Sequence, residues 1–313
     1  MTWNYLAKVS CLDIGLLEHS LNWAQLPTPT MIADDVVRVY FATRAGNTPQ
    51  IASIDVGLSS RKGATVISKT LKTCIVAPGT SSWNIDGVYP SSVIEAGERI
   101  NLYTIGWQRG DVDPLYAARI GLATFDCNGQ LVEVLSQPVL NLCAKDPFLV
   151  TSPTVRKFNG GFEMLYTSGD SWRVGPNGAD STYQIRRAVS HDGIGWEKDT
   201  DYAIKRPAGI QGFARPCFLG DSHDRIMLSV RLEGKSTYQL GIAERTNSKT
   251  SYVLSTSTDY LPPVGCAYPA MAYNHERNNA VLVVNDHDRG LSGFYMFESR
   301  RRCAVTCSRP STF

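Results

Sequence analysis

Short apolar runs, each closed by a cluster of turn-forming residues, recur along the whole chain. Five pairs of these runs have the same spacing. In each pair a proline opens the first run, and the position thirteen residues after the proline lies within the second run. Four of the prolines follow one another at intervals of 63 residues, and the last interval is 53 residues. A period of this length predicts a repeat architecture. The prolines are Pro27, Pro90, Pro153, Pro216 and Pro269.

Each repeat has the composition of antiparallel β-strands. The second runs, VVRVYFATR, RINLYTIGW, FEMLYTSGD, RIMLSVRLE and NAVLVVND, are rich in Val, Ile, Leu and Tyr. They follow the turn-like clusters ADD, EAGE, FNGG, GDSHD and NHERN. A third run comes next in each repeat: QIASIDV, YAARIGLATFD, YQIRRAVS, YQLGIAER and GFYMFES. The pattern predicts strand, tight turn, strand, and no amphipathic helix interrupts it.

Repeats of about four strands each predict an all-β fold, a five-bladed β-propeller with one blade per repeat. Residues 1–313 then form a single domain. The N-terminal run TWNYLAKVSCLD precedes the first repeat, so we expect it to supply the outer strand of the last blade. A β-sandwich is the main alternative, but it does not explain the even spacing.

Composition narrows the function classes. The chain has 313 residues, of which 43% are hydrophobic and 19% charged, as in globular proteins. A net charge of +2, with both signs spread along the chain, gives no basis for binding nucleic acid. No apolar stretch reaches the roughly 18 residues of a membrane helix. The N-terminus lacks the pattern of a signal peptide, so we expect a cytoplasmic protein.

Several stretches resemble one group of proteins. SHDGIGWEKD (190–199) resembles a Ser-x-Asp-Gly-x-x-Trp turn of five-bladed carbohydrate-active propellers. YPSSVIEAGERINLYTIGW and ARPCFLGDSHDRIMLSVR are similar to their innermost strand pairs. The group includes arabinanases, β-xylosidases, invertase-type fructosidases and mannoside phosphorylases. Through the repeat, the resemblance covers nearly the whole chain, and it implies a carbohydrate ligand.

Strand direction in a propeller selects candidate site residues. The first strand of each blade lines the central channel and the second runs antiparallel to it. Residues just before each proline and residues ending each second strand should therefore meet at one channel end. Aromatic faces there would pack on sugar rings, while Arg and Asp would bind hydroxyl or anionic groups. The set comprises Leu26, Asp86, Tyr89, Ser152, Arg215 and Tyr268 before the prolines, and Arg44, Trp107, Asp170, Arg231, Asp286 and His287 at the second-strand ends.

The carboxylates in this set do not make an ordinary glycosidase pair. Glycoside hydrolysis usually needs two carboxylates across the scissile bond. The similar hydrolases carry acids beside the blade-start prolines, yet here only Asp86 closely precedes one, and Arg215 stands where an acid might be. Asp86 is the candidate general acid or base, and a turn residue before Gly87 is the competing interpretation.

Three functions remain open: an enzyme, a glycan-binding protein and a protein-interaction scaffold. The first is an enzyme acting on a glycosidic linkage, more a phosphorylase or transferase than a hydrolase, with Arg44, Arg215 and Arg231 binding an anionic group. Its ligand would be a sugar, sugar phosphate or nucleotide sugar in glycan or polysaccharide metabolism. The second is a glycan-binding propeller without catalysis. We expect no cofactor and no metal site of protein side chains; a cation at the channel centre stays open.

Overall fold

The computed structural model describes residues 2–59, 63–67, 72–79, 83–110, 116–175, 178–220, 224–246, 250–265, 267–274 and 279–300. Strands dominate these ranges, and one short 3₁₀ helix, Leu17–His19, is the only helix within them. No helix in the described ranges combines the length and apolar character needed to cross a membrane. The all-β prediction is therefore confirmed.

The strands fall into five groups. Group 1 contains β2 (Asn22–Ala33), β3 (Val36–Ala45), β4 (Thr48–Ser59), β5 (Gly63–Val66) and β6 (Lys72–Val76). Group 2 contains β7 (Gly87–Ala96), β8 (Arg99–Arg109), β9 (Tyr116–Asp126) and β10 (Leu131–Val134). Group 3 contains β11 (Leu149–Phe158), β12 (Gly161–Gly175), β13 (Gly178–Ser190) and β14 (Glu197–Ile204). Group 4 contains β15 (Ile210–Phe218), β16 (Arg225–Leu232), β17 (Tyr238–Arg245) and β18 (Tyr252–Leu254). Group 5 contains β19 (Ala267–Asn274), β20 (Asn279–Asn285), β21 (Gly293–Arg300) and β1 (Asn4–Ser10).

Within each group the consecutive strands pair antiparallel, as the strand–turn–strand pattern predicts. In group 5 the outer strand β1 pairs with β21 and so comes from the opposite end of the sequence. Groups 2, 3 and 4 are joined into one 12-stranded sheet by single parallel pairings, Leu149 with Ala118 and Tyr183 with Gly212. Groups 1 and 5 are separate sheets.

The first strands of the groups contact one another in a cycle. Strand β2 contacts β7, β7 contacts β11, β11 contacts β15, β15 contacts β19, and β19 contacts β2. The apolar core follows the same order, because each of five large core clusters draws its residues from two neighbouring groups. The cluster between groups 2 and 3, for instance, packs Tyr103 and Ile120 against Met164 and Tyr166. The groups are thus held together chiefly by apolar burial.

The repeat prolines mark a β-bulge in every first strand. The pairing register shifts around Pro27, Pro90, Pro153, Pro216 and Pro269. In four strands the residue before the proline has a left-handed backbone conformation, with φ between 47° and 59°. A bulge of this kind bends the strand and redirects its side chains, and such strain persists only where surrounding contacts fix it. The four residues are Leu26, Ser152, Arg215 and Tyr268.

Side chains of the preceding group fix three of these bulges. The N–H of Leu26 donates to Asn285 Oδ1 at 3.0 Å, and the N–H of Tyr268 donates to Ser229 Oγ at 2.8 Å. The N–H of Arg215 donates to Thr167 Oγ1 at 3.3 Å. Each acceptor lies on the second strand of the group before it in the cycle, so these hydrogen bonds set the relation between neighbouring groups.

Arg215 lies among the first strands at the level of the prolines. Its side chain is 1% exposed, and its guanidinium donates to the carbonyl oxygens of Pro27 at 2.9 Å, Pro90 at 3.4 Å and Pro269 at 3.3 Å. It also donates to Thr28 Oγ1 at 2.8 Å and to the Leu26 carbonyl at 3.3 Å. Burial lowers the pKa of Arg215 to about 10, so the group remains a cation at neutral pH.

No carboxylate within the described ranges pairs with this cation. The charge is balanced by the dipoles of main-chain carbonyls from three other groups. Truncating Arg215 would leave several buried carbonyl oxygens without donors at once, and each such loss costs about 1–3 kcal/mol.

We therefore expect Arg215→Met to lower the free energy of unfolding by at least about 3 kcal/mol, as measured by urea denaturation. Arg225→Met is the matched control, because Arg225 forms an ion pair at 3.0 Å with Glu244 in which both side chains are about 40% exposed. Exposed pairs of this kind contribute about 0–1 kcal/mol. Equal stability losses in the two variants would contradict a structural role for Arg215.

Candidate functional site

A cavity of about 220 Å³ lies at the beginnings of the first strands, on the side where each strand approaches its proline. Residues from the first strands of all five groups line it, together with residues from second and third strands. Its aromatic lining is Tyr89, Trp107, Tyr116, Tyr183, Tyr238 and Tyr268. Its other lining residues are Gln25, Leu26, Ile105, Ala118, Thr151, Ser152, Thr167 and Ala214.

The aromatic side chains form a layer in which five of the six contact an aromatic neighbour. The hydroxyls of Tyr116 and Tyr183 are 2.9 Å apart and share a hydrogen bond. The rings of Tyr238 and Tyr268 have centroids 5.7 Å apart, and the Trp107 ring is 6.2 Å from that of Tyr116. Tilted rings at these separations attract one another through their quadrupoles as well as through burial. The layer is therefore held in place before any ligand arrives.

Three of the tyrosines come from the third strands of groups 2, 3 and 4. Tyr116 begins β9, Tyr183 lies in β13 and Tyr238 begins β17. A third strand runs antiparallel to the second and hence parallel to the first, so its beginning lies at the same end of the group as the beginning of the first strand. Gly212 adjoins Tyr183 so closely that an added Cβ would lie 3.0 Å from its ring.

Four of the cavity tyrosines have a pKa that burial raises. Burial raises the pKa of Tyr89 and of Tyr268, and it raises the pKa of Tyr116 and Tyr238 well above the ordinary tyrosine value. A neutral phenol both donates and accepts a hydrogen bond. The cavity thus presents apolar ring faces beside neutral hydroxyl groups.

Five of the site residues predicted from the sequence line this cavity: Leu26, Tyr89, Trp107, Ser152 and Tyr268. Arg44 flanks it, donating to Tyr89 Oη and to Gln25 Oε1, both at 3.2 Å. Arg231 also flanks it, with its guanidinium carbon 5.5 Å from the centre of the Tyr183 ring and its Nη2 2.8 Å from the Ser181 carbonyl. Arg215 lies deeper, beside the Leu26 carbonyl.

The predicted carboxylates lie outside the cavity lining and are held by local contacts. Asp86 Oδ2 accepts the backbone N–H of Arg109 at 2.8 Å, and Asp86 Oδ1 is 3.8 Å from Arg109 Nε. The backbone N–H of Asp86 donates to the Trp107 carbonyl at 3.1 Å, which keeps Asp86 near the rim. This geometry is that of a turn aspartate, the competing interpretation from the sequence.

Like Asp86, three other predicted site residues lie outside the cavity lining: Asp170, Asp286 and His287. Asp170 accepts hydrogen bonds from Thr182 Oγ1 and, at 2.5 Å, from Gln184 Nε2. Asp286 accepts from the His287 N–H at 2.8 Å and from the Tyr295 hydroxyl at 3.1 Å, and the His287 side chain is exposed. None of the three lines the cavity. They were expected there because they end second strands, but the two carboxylates instead accept hydrogen bonds from neighbouring strands and turns.

The lining of the cavity limits its chemistry. Among its described lining residues there is no Asp, Glu, His, Lys or Arg. Two opposed carboxylates, which most glycoside hydrolases use, are therefore missing from this set. The described ranges also contain no group of three or more His, Cys, Asp and Glu residues suited to a metal ion.

Sequence reasoning missed Tyr116, Tyr183 and Tyr238, although a signal was present. The third runs YAARIGLATFD, YQIRRAVS and YQLGIAER each begin with tyrosine. The candidate residues were chosen only from the beginnings of first strands and the ends of second strands, so residues of the third strands were not considered.

The buried tyrosines predict a pH dependence of stability. Because their folded pKa values lie above that of the unfolded chain, about 10, the stabilisation is complete below that pH and is lost as pH rises above it. We expect the free energy of unfolding from urea titrations to fall steeply above about pH 10, and less steeply in Tyr238→Phe. Tyrosinate absorbance that rises near pH 10 for every phenol of the folded chain would contradict this.

Comparisons with solved structures show the fold. The sucrose-6-phosphate hydrolase of Lactobacillus gasseri matches with a TM-score of 0.63 and 11% identity, covering 93% of this chain and 64% of that one. The GH32 β-fructofuranosidase of Bombyx mori matches with a TM-score of 0.61 and 13% identity, covering 89% and 60%. A family 117 glycoside hydrolase of Zobellia galactanivorans matches with a TM-score of 0.58 and 10% identity, covering 95% and 89%. These are β-propeller glycoside hydrolase-like folds, as the sequence resemblance implied.

Comparisons of sequence show the family. No family model matches the chain. The uncharacterized protein Rv1502 of Mycobacterium tuberculosis is 32% identical over 200 residues, which are 63% of this chain and 64% of that protein. The uncharacterized protein MT1551 of Mycobacterium tuberculosis is 31% identical over 225 residues, which are 71% of this chain and 73% of that protein. With that identity over that length, the chain belongs to the family of MT1551.

Proposed function

We propose that this chain is a five-bladed β-propeller that binds a carbohydrate in the tyrosine-lined cavity. The observation that carries the proposal is the lining itself, six aromatic side chains with neutral hydroxyl groups among them. Apolar ring faces of sugars pack on aromatic side chains, and sugar hydroxyls exchange hydrogen bonds with groups that both donate and accept.

The five strand groups and the cyclic contacts of their first strands support the blade count. Each group would be one blade, with β2, β7, β11, β15 and β19 innermost. Ligand sites in closed β-folds lie at the mouth that the loops surround, and the tyrosine-lined cavity takes that position. Resemblance in fold to glycoside hydrolases favours a carbohydrate over other small molecules, as an argument by analogy.

Binding without catalysis is the version that the geometry favours. General acid–base help needs a group within hydrogen-bond reach of the reacting atom. The polar groups of the described cavity lining are phenols, aliphatic hydroxyls, one amide and one indole N–H, and burial raises the pKa of the Tyr116 and Tyr238 phenols. A neutral sugar therefore matches the lining better than an ionised one.

Glycosyl transfer is the second candidate, and the rim position of Asp86 favours it. A bound sugar extending from the cavity past Trp107 would approach Asp86, whose backbone N–H bonds the Trp107 carbonyl. Asp86 would then act as the acid or base. Arg44 and Arg231 at the flanks could attract the phosphate of a sugar phosphate or nucleotide sugar, which would serve as a glycosyl donor in glycan metabolism.

The binding proposal is tested by removing single hydroxyls. Neutral mono- and oligosaccharides are titrated into the full chain by isothermal calorimetry. For the sugar that binds, we expect Tyr89→Phe and Tyr238→Phe to weaken binding about three- to tenfold each, the loss of one hydrogen bond. Tyr295→Phe is the control, since its hydroxyl bonds Asp286 outside the cavity lining. Equal affinities in all three variants would place the ligand elsewhere.

Turnover separates the two candidates. Sugars, sugar phosphates and nucleotide sugars are incubated with the chain, and products are followed by chromatography. If turnover occurs, Asp86→Asn should reduce it at least about a hundredfold while leaving the fold intact, with exposed Asp192→Asn as the control. Binding without turnover supports the first candidate. Neither binding nor turnover on any sugar would contradict both and favour a scaffold.

A further inference from the structure

A long hairpin, formed by β12 and β13, extends beyond the tyrosine-lined cavity. Strand β12 has 15 residues, whereas the described second strands of the other groups have 7 to 11. Tyr183 of β13 lines the cavity and pairs with Gly169 of β12. The pairing then continues through residues 171–175 and 178–182, at the cavity end of the group. Five residues of a strand span roughly 16 Å, so the hairpin reaches well past the cavity lining.

Trp172 is an aromatic side chain on this hairpin just outside the cavity. It pairs with Ser181, and Ser181 and Tyr183 share one face because alternate residues of a strand do. Trp172 and Tyr183 therefore lie on the same face of the hairpin, and Trp172 is the outer of the two. The centroid of the Trp172 ring is 5.5 Å from that of Tyr116, at an interplanar angle of 83°. A perpendicular contact leaves at least one face of the half-buried indole uncovered by Tyr116.

Contacts with both neighbouring groups hold the hairpin in place. The ring contact with Tyr116 joins it to group 2. The Ser181 carbonyl accepts a hydrogen bond from Arg231 Nη2 of group 4 at 2.8 Å. Where the hairpin leaves the cavity, the hydroxyls of Ser171 and Thr182 are 2.6 Å apart and share a hydrogen bond. The indole is thus positioned before a ligand arrives, so binding does not have to order it.

The size of the cavity favours a ligand that extends onto this hairpin. At about 220 Å³ the cavity is smaller than the roughly 300–1,000 Å³ of ordinary small-molecule sites. A single sugar ring fills most of a space of this size, so a further unit of the same ligand would lie outside it. Trp107 lines the cavity, Trp172 lies outside it, and both contact Tyr116. Aromatic surface therefore continues from the inside of the cavity to the outside.

We propose that the ligand is an oligosaccharide of at least two units, with one unit in the cavity and the next packed on the indole of Trp172. The inference rests on the proposed carbohydrate function and deepens it. Aromatic faces inside and outside the cavity would bind the apolar faces of successive sugar rings. Trp172 would then determine the preference for ligand length without contacting the unit inside.

The test is calorimetric titration of the full chain with glucose, mannose, galactose and fructose, and with linear di- and trisaccharides of each. For the sugar that binds, we expect the disaccharide to bind about three- to tenfold more tightly than the monosaccharide, because it gains an aromatic contact. Trp172→Ala should remove this gain and leave the monosaccharide affinity unchanged. A purely structural role, in which Trp172 only supports Tyr116, would instead lower both affinities together.

Trp196→Ala is the matched control. Trp196 is also half-buried and precedes β14 in the same group, and its ring centroid is 6.0 Å from that of a group 2 tyrosine, Tyr103, at 75°. That contact belongs to the apolar core between the groups, outside the cavity lining. The variant should keep the gain from the second sugar unit. If an alanine variant fails to fold, Trp172→Leu and Trp196→Leu replace the pair, since leucine keeps apolar bulk without a ring face.

The outcomes separate this inference from the proposed function. A disaccharide that binds while its monosaccharide does not also counts as a gain, provided that changing Trp172 abolishes it. Single sugars that bind with no gain on lengthening, or a gain that survives the change at Trp172, overturn the inference and leave the sugar site standing. Absence of binding by every sugar, single or linked, overturns both.

Discussion

The arrangement of the first strands depends on one buried cation that has only main-chain partners. The guanidinium of Arg215 joins carbonyls of β2, β7 and β19 to its own strand β15, so a single side chain links four of the five groups. Such carbonyls are free to accept because each proline bulge interrupts the ladder at that level. Desolvating a guanidinium is costly, and only the convergence of several dipoles offsets that cost. The bulges of β2, β7 and β19 thus supply the acceptors that Arg215 needs.

The same bulges shape the ligand cavity. A left-handed residue before the proline turns the strand, so Tyr268 and Ser152 lie on the cavity side while the following residues face the opposite side. Tyr116 and Tyr183 then share a hydrogen bond between neighbouring groups, and Tyr238 packs on Tyr268 of the next group. The result is an aromatic cavity lining without described carboxylates, in a fold that resembles that of glycoside hydrolases.

The sequence predicted best those features that depend on residues close together in the chain and that recur in every repeat. The proline spacing predicted the β-strands and their antiparallel order, because alternation and turn residues act over a few positions. Tyr89, Trp107 and Tyr268 could be placed from strand direction alone. The position of the Asp86 carboxylate could not be predicted in this way. A side-chain rotation decides whether it points into a channel or accepts a nearby backbone N–H, and here it accepts the N–H of Arg109. Arg215 was expected to bind a ligand. In the structure its partners are main-chain carbonyls, and a sequence pattern does not reveal such contacts because every residue has a carbonyl.

The pairing of β1 with β21 has a consequence for the order in which the molecule folds. Strand β1 is synthesised before every other described strand, yet its hydrogen-bonding partner, Gly293–Arg300, is the last described strand to leave the ribosome. Until then the apolar side of Val9 has no partner strand, and the edge of β1 that β21 will cover is unpaired. Contacts between such distant parts of a chain form slowly, because closing a long loop costs entropy before any contact compensates for it. We therefore expect that edge to be open to pairing with other chains until residues 293–300 have been synthesised.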